Sequence, residues 1–420
     1  MRPDDPAARE WLSIDQYTAE VLGLVEPLTE HERLPLAELA SRVLARPAIA
    51  RCDVPAFRNS AMDGYAIRSA DISGAVPQRF QVVAEIAAGS SEDPGLVAGQ
   101  AARIMTGAPV PSAADTVIAV EDTQPVGDEV LVTRAIQAGR HVRAAAADFA
   151  AGQQIAASGT RLSAEWIGAL AAAGLAEADV IRKPRVAVIS TGDELVEPGA
   201  AELGRGQIFQ SNAYQLAAAA RADGAEVVMQ IRSSDDVDEF VALLRQAASQ
   251  VDVIFLSGGI SVGDFDVTRL GIERLAQDGE AEMMLRRVRM QPGKPQGWAK
   301  LHNAAAHSTA LLAFPGNPLS AGISYLLFGQ PLIRRLQGLP PLKWRSAIAG
   351  VGWQPPKGRA QLLPVVVDES SCPAKVSPAH REGSASHMVT ALAAADALAM
   401  VDADVEEVNP GQQLKIRSIR

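Results

Sequence analysis

Apolar positions near the start of the chain recur at helical spacing. Tyr17, Val21, Leu22 and Val25 follow a Ser13-Ile-Asp-Gln start signal and precede Pro27, which predicts a helix. A second run over 35–45 repeats the period before Pro47 and predicts another. From about 51 to 150 the texture changes. Short β-like runs at 80–86, 101–105, 116–120 and 129–133 are broken by Gly, Pro and Asp, which predicts a small β-rich domain. Residues 160–175 return to a helical period, with Ser163 as the start signal and Gly174 as the stop.

The region after 180 alternates regularly. A β-branched strand at 185–190 ends in a glycine turn, and Ser211-Asn212 caps a helix that Gly224 stops. A strand at 226–231, a helix at 235–248 and a strand at 251–256 follow, then a strand at 309–314 and a helix after Pro318. Strand and helix alternating at this length predict βαβ units and a parallel-rich sheet. After Pro340-Pro341 short β segments run to the end and predict a C-terminal β domain.

At 420 residues the chain exceeds one hydrophobic core, and about two to four domains are expected. Aromatics are only 4%, so the cores must be aliphatic. The net charge of −10 argues against a nucleic-acid partner, which calls for a basic face. It leaves room for a small anion held by backbone amides and a few local cations. Cys52 and Cys372 make no disulfide framework, and the six histidines show no metal-ligand spacing. The polar start, MRPDDPAARE, lacks a signal-peptide core, and no apolar run approaches the ~20 residues of a membrane span. A reduced, cytoplasmic protein with no membrane partner is expected.

In an open α/β sheet, ligands sit beyond the carboxyl ends of the strands. Three loops fall there: Ser190-Thr-Gly-Asp-Glu194, Ser257-Gly-Gly-Ile-Ser-Val-Gly-Asp-Phe-Asp266 and Phe314-Pro-Gly-Asn-Pro318. Glycine lets amides approach a phosphate, and Ser and Thr add hydroxyl donors. Carboxylates beside them repel a bare phosphate unless a hard cation such as Mg²⁺ bridges the two. Any one loop reads equally as a turn with a capping acid; three at one edge point to a site for a metal-bound phosphorylated ligand. The segment 53–68 taken alone reads as a packed turn. Arg286–Arg289, followed by Gln291-Pro-Gly-Lys-Pro295, is either a solvated face or a cationic wall for an anion. Arg103, Arg140 and Arg143 read singly as structural, as does His387, and no Ser/His/Asp or Cys/His nucleophile is legible from spacing.

Together, DVPAFRNSAMDGYA, RIMTGAPVP, VAVISTGDEL with GQIFQSN, LSGGISVGDFD, QPGKP and FPGNPLS resemble the MoeA/gephyrin family of molybdopterin molybdenumtransferases, in family order over roughly 10–400. The resemblance implies a linking domain split into 9–50 and 151–180, with a β-rich domain inserted at 51–150. It implies a molybdopterin-binding MogA-like α/β domain at 181–336 and a C-terminal β barrel at 337–420. It also implies a head-to-tail homodimer with its cleft between subunits, and as protein partners a MogA-like adenylyltransferase and acceptor molybdoenzymes. The implied reaction inserts molybdate into the dithiolene of adenylylated molybdopterin and releases AMP with Mg²⁺. The implied catalytic residues are Asp63, Thr106, Asp148, Glu194, Asp235 and Asp266, with Glu194 and Asp266 as metal ligands.

Ser190, Thr191, Gly192, Ser257, Gly258, Gly259, Ser261, Gly263, Pro315, Gly316, Asn317 and Pro318 are expected to hold the pterin and its phosphate. Arg143, Arg287 and Lys294 are expected to attract molybdate. Three departures from the family pattern occur. Arg143-Ala-Ala-Ala146-Ala147-Asp148 lacks the usual Gly-Glu before the acid; Gln291 replaces a lysine; Ala299 replaces a glycine. A specialised or non-catalytic paralogue that hands cofactor to one molybdoenzyme is the alternative.

Overall fold

The computed structural model describes residues 11–135, 137–258, 267–302 and 308–419. The chain divides into two compact units, one joining the stretch up to Glu30 with Ile181–Arg420, the other His31–Val180.

Among the described residues of the first unit, a seven-stranded sheet runs in the order Trp11–Leu12, Ala281–Val288, Pro295–His302, Ser308–Phe314, Val253–Ser257, Arg185–Thr191, Glu226–Ser233. The last four strands are mutually parallel, and Ala281–Val288 with Pro295–His302 forms an antiparallel extension. The central strands are continuous apolar runs because both faces are covered. Alternate residues point to opposite sides. Val186, Val188, Phe255 and Leu312 enter one core, under the helix Asn212–Ala222 and the helical stretch from Pro318 to Leu336. Ala187, Ile189, Leu256 and Leu311 enter the other, under Val237–Ala248 and Val267–Gln277.

The helix Ile14–Leu22 opens on a capping box between Ser13 and Gln16. Its buried Tyr17 and Val21, four apart, enter the first core, with Leu24 and Val25 after them. These residues therefore pack with the α/β sheet, whereas the segment after Glu30 builds the other unit. Glu20 on the same helix receives both Nε and Nη2 of Arg286, at 3.0 and 2.9 Å, and the indole N–H of Trp298 at 3.0 Å. The helix is thus tied to two neighbouring sheet strands by a largely buried ion pair.

The C-terminal strands Ala360–Asp368, Lys375–Pro378, Arg345–Ala349, Gln413–Ser418 and Ala397–Val401 pair in that order. Ala397–Val401 also pairs back onto Ala360–Asp368, which closes a five-stranded barrel around Ala347, Leu363, Val365, Val376 and Ile416. Closure removes the exposed edges that an open sheet of this size would carry.

In the second unit a six-stranded sheet runs Thr116–Ala119, Gly64–Ile67, Gln100–Ile104, Gln78–Ile86, Glu129–Val132, Thr123–Val126. The helix expected over 35–45 does not form. Only the 3-10 turn Leu36–Glu38 is helical there, and Ser41 takes φ +63°. Two prolines frame too few residues for a helix to stand on propensity alone. The backbone pairs across the unit instead, Ser41 N–H to Leu162 O and Leu44 N–H to Thr160 O, while Leu39, Val43 and Leu44 are buried. The expected helix near 160–175 is present as Ala164–Ala172.

Replacing Glu20 by Ala would remove the carboxylate that accepts from the largely buried Arg286 guanidinium and from the Trp298 indole N–H. Breaking such a pair costs about 2–4 kcal/mol. Urea denaturation of E20A should show a loss in that range; a change within about 0.5 kcal/mol, typical of surface sites, would refute the assignment.

Candidate functional site

Three loops leave the parallel strands at one level because the register aligns them. Ser190 is opposite Ser257, and Ser257 is opposite Phe314. Gly258, at φ +104°, donates its N–H to Phe314 O at 3.2 Å. A Cβ there would lie 2.7 Å from Thr191 O, so a side chain would drive the loops apart. Gly316 passes close by: its own Cβ position is 3.6 Å from the Gly258 Cα. Ser190, Thr191, Gly192, Ser257, Gly258, Pro315, Gly316, Asn317 and Pro318 are thereby gathered at one edge. Asn317 Nδ2 donates to Ser386 Oγ at 3.0 Å, and the Leu319 N–H to Ser386 O at 3.1 Å. A loop of the C-terminal domain therefore borders this edge.

Gly192, at φ +137°, leaves a bare backbone over which the Glu194 carboxylate folds; a Cβ would stand 2.5 Å from Glu194 Oε2. The Asp193 N–H points to Asp235 Oδ2 at 3.4 Å, a long hydrogen bond that links the two acid-bearing loops. Asp235 was expected at the helix start. The helix instead begins at Val237 with Asp236 as its cap, accepting from the Glu239 N–H at 2.9 Å. This frees Asp235 to face the Asp193 loop. Among the described residues no three acids, histidines or cysteines converge as a metal cluster. Gly259, Ser261, Gly263 and Asp266 lie outside the described residues.

Strand alternation separates the two arginines of Ala281–Val288. Arg286 is committed to Glu20, and Arg287 is exposed, opposite Trp11 on one side and Pro295 on the other. Lys294 Nζ lies 5.3 Å from the centre of the Trp11 ring. Gln291 Oε1 accepts from Arg359 Nη1 at 2.8 Å. A guanidinium thus stands beside the position where the family pattern has a lysine. Ala299 is fully buried in the strand Pro295–His302.

In the other unit, Asp63 Oδ1 accepts from both the Thr106 N–H, at 2.6 Å, and the Thr106 hydroxyl, at 2.8 Å. The Thr106 backbone N–H, then its hydroxyl, hold the exposed Asp63 carboxyl below the ordinary aspartate range. The surrounding segment is pinned on two sides. The Gly107 N–H donates to Ser60 O, and Asn59–Ser60 pairs with Val142–Arg143, setting Arg143 opposite Asn59. Asp148 is exposed, and its N–H donates to Val54 O. Ala146 stands in the left-handed region at φ +56°, with its N–H on Pro55 O. The turn that a glycine would make easily is therefore made by alanine.

Two residues at the α/β edge escaped the sequence reading. Asn212 was read only as a helix cap, yet its Nδ2 donates to Ser257 Oγ at 2.7 Å and to Gly316 O at 2.6 Å. Its place in the GQIFQSN motif was the available signal. Arg359 sits in the bend just before the strand Ala360–Asp368, with no motif signal, and the pairing of Met290–Gln291 with that strand brings it to Gln291.

Comparison with known proteins accounts for most of the chain. Residues 12–174 match the MoeA N-terminal region (domain I and II), 187–335 a probable molybdopterin binding domain, and 346–418 the MoeA C-terminal region (domain IV). The chain is 37% identical to molybdopterin molybdenumtransferase 2 of Mycobacterium tuberculosis, over 96% of this chain and 97% of that one. It is 31% identical to molybdopterin molybdenumtransferase of Bacillus subtilis, over 93% and 90%. Among solved structures, a molybdopterin biosynthesis MoeA protein from Pyrococcus horikosii aligns over 98% of this chain and 100% of its own, with TM-score 0.77 and 29% identity.

Two measurements follow from this geometry. Thr106→Val keeps the N–H donor and removes the hydroxyl, so the Asp63 pKa should rise part of the way back to the ordinary value. Carboxyl-carbon NMR titration reads this directly, and an unmoved midpoint would refute the hydroxyl's role. The stabilisation tied to the lowered pKa is present above the ordinary aspartate pKa and disappears as pH falls through the lowered one. Ala146→Gly should raise unfolding stability by about 0.5–1 kcal/mol, because glycine takes positive φ without the Cβ clash. A lower melting temperature for A146G would contradict the left-handed assignment.

Proposed function

The chain belongs to the MoeA family of molybdopterin molybdenumtransferases, and from that premise we propose that it inserts molybdenum from molybdate into the dithiolene of adenylylated molybdopterin, releasing AMP. The carrying observation is the strand-end cradle, where two backbone glycines, two serines and Asn212 meet beside the acid-bearing loops. Pterin and phosphate are held there by Ser190, Thr191, Gly192, Ser257, Gly258 and the Pro315–Pro318 loop, with Gly259, Ser261 and Gly263 assigned by motif. Bare amides at close-packed glycines suit a phosphate, since no side chain stands between.

Glu194, with Asp266 by motif, is assigned to Mg²⁺, which needs only one or two carboxylates when phosphate oxygens and water complete its shell. Asp235, whose Oδ2 faces the Asp193 N–H, is a catalytic acid of the same edge. When bound, Mg²⁺ supplies charge neutralisation at the pyrophosphate. Arg287 and Lys294 supply positive charge for molybdate, and Arg359 adds a guanidinium beside Gln291. Asp63, Thr106, Arg143 and Asp148 of the other unit belong to the same proposal, with the hydrogen-bonded Asp63 serving as a fixed anion. The two dithiolene thiols form Mo–S bonds, their protons leave with one molybdate oxide as water, and a second water adds to phosphorus as the pyrophosphate P–O bond breaks, giving AMP and the pterin phosphate. A cytoplasmic homodimer, supplied by a MogA-like adenylyltransferase and serving acceptor molybdoenzymes, completes the reading. The described helices include none long and apolar enough to cross a membrane.

Purified protein mixed with adenylylated molybdopterin, molybdate and Mg²⁺ should release AMP in proportion to molybdate and yield active cofactor. Absence of molybdate-dependent AMP above a protein-free blank would overturn the enzyme reading. Ligand binding without that release would establish the handover alternative instead.

A further inference from the structure

We propose that Asn212 is a positioning residue for the pterin substrate. It braces two loops of the cradle and, with Ser190, presents acceptors to the ligand's N–H edge. The proposal rests on the reading of this edge as the pterin site.

The amide orientation is fixed by chemistry. Gly316 O can only accept, so the group 2.6 Å from it must be the NH₂ of Asn212. The same nitrogen donates to Ser257 Oγ at 2.7 Å, which uses both of its hydrogens. One side chain at the start of the helix Asn212–Ala222 therefore cross-links the last residue of Val253–Ser257 to the loop after Ser308–Phe314. Glycine at 258 and 316 brings those backbones close, and Asn212 keeps them in register.

The remaining atom is the telling one. Asn212 Oδ1 is shut off from solvent and finds no hydrogen-bond partner, and the same is true of Ser190 Oγ on the adjacent strand. Ser190 is 1% exposed. A buried polar group left unpaired is costly, and two at one strand end mark a place that a ligand completes. Both can accept, and the hydroxyl can also donate. The complement is a flat heterocycle carrying adjacent N–H donors, as the pyrimidine edge of a pterin does with its ring N–H and exocyclic amine.

The test compares wild type with Asn212→Asp, Asn212→Ala and Ser190→Ala. Affinity for molybdopterin is measured by equilibrium binding, and AMP release gives KM and kcat. Asn212→Asp puts a carboxylate against Gly316 O and should weaken molybdopterin binding about tenfold or more. The KM for molybdate should stay put, and kcat at saturation should change by about threefold at most. Ser190→Ala deletes a hydroxyl that has no partner to lose, so it should fold as well as wild type and still weaken molybdopterin binding. It keeps the idea testable if the Asn212 variants fold poorly. A lower kcat with unchanged affinity in folded Asn212 variants would mark a merely structural brace and overturn the proposal, as would unaltered binding by S190A. Wild type that binds molybdopterin but releases no AMP would sink the enzyme reading alone, whereas wild type that does not bind it would sink both.

Discussion

The register of three parallel strands is the constraint on which the α/β half depends. Ser190, Ser257 and Phe314 are paired across Arg185–Thr191, Val253–Ser257 and Ser308–Phe314, so three chains leave the sheet at one height. Burial on both faces enforces this. Val186 and Val188 must enter one core while Ala187 and Ile189 enter the other. A one-residue slip would exchange the two sets and carry Ser190 or Ser257 into a hydrophobic layer. Packing energy spread over the sheet thereby fixes the placement of two hydroxyls at its end. Gly258 then allows an approach to Thr191 that a Cβ would block, Gly316 lies in ordinary contact beside it, and Asn212 ties Ser257 to Gly316.

Charge is partitioned by the same alternation. Arg286 and Arg287 are neighbours in sequence and point to opposite faces. One, with a side chain 12% exposed, forms an ion pair that holds the first helix; the other faces solvent. The consecutive pair Asp235 and Asp236 divides similarly. Asp236 satisfies the helix N-terminus, and Asp235 turns to the loop that carries Asp193 and Glu194. In each case a structural demand is met by one member of the pair, which leaves its neighbour available for chemistry.

Much of this was legible because its cause is local. Apolar runs after 180, alternating with capped helical periods, announced a parallel-rich sheet, and Gly-rich loops at strand ends announced where a ligand would go. What escaped was set by distant partners. Residues 35–45 carry a helical period, but Thr160 and Leu162 supply competing backbone hydrogen bonds that no local pattern reveals. The helix Ile14–Leu22 was read correctly as an element, while its home in the α/β core depends on Glu20 meeting Arg286 and Trp298 more than 260 positions away. Arg359 reaches Gln291 only because a barrel strand is added beside Met290–Gln291. Asn212 looked like an ordinary cap because its side chain's partners lie on two other loops.

Two of the departures from the family pattern then differ in kind. At 146 Ala146 takes a left-handed conformation at a cost of about 1 kcal/mol, and its N–H donates to Pro55 O. What is lost at 147 is a carboxylate, four residues after the exposed Arg143. On the proposed role of Arg143, that loss removes a competing negative charge from the neighbourhood of an oxyanion-binding guanidinium. At 291 a lysine charge is absent, but glutamine orients the Arg359 guanidinium at the same place, exchanging a compact ammonium for a planar fork. On the proposed roles both changes fall beside oxyanion-binding groups, and neither position lies in the strand-end cradle. By the same proposed roles, recognition of the pterin belongs to the strand ends, and both departures fall beside groups assigned to molybdate.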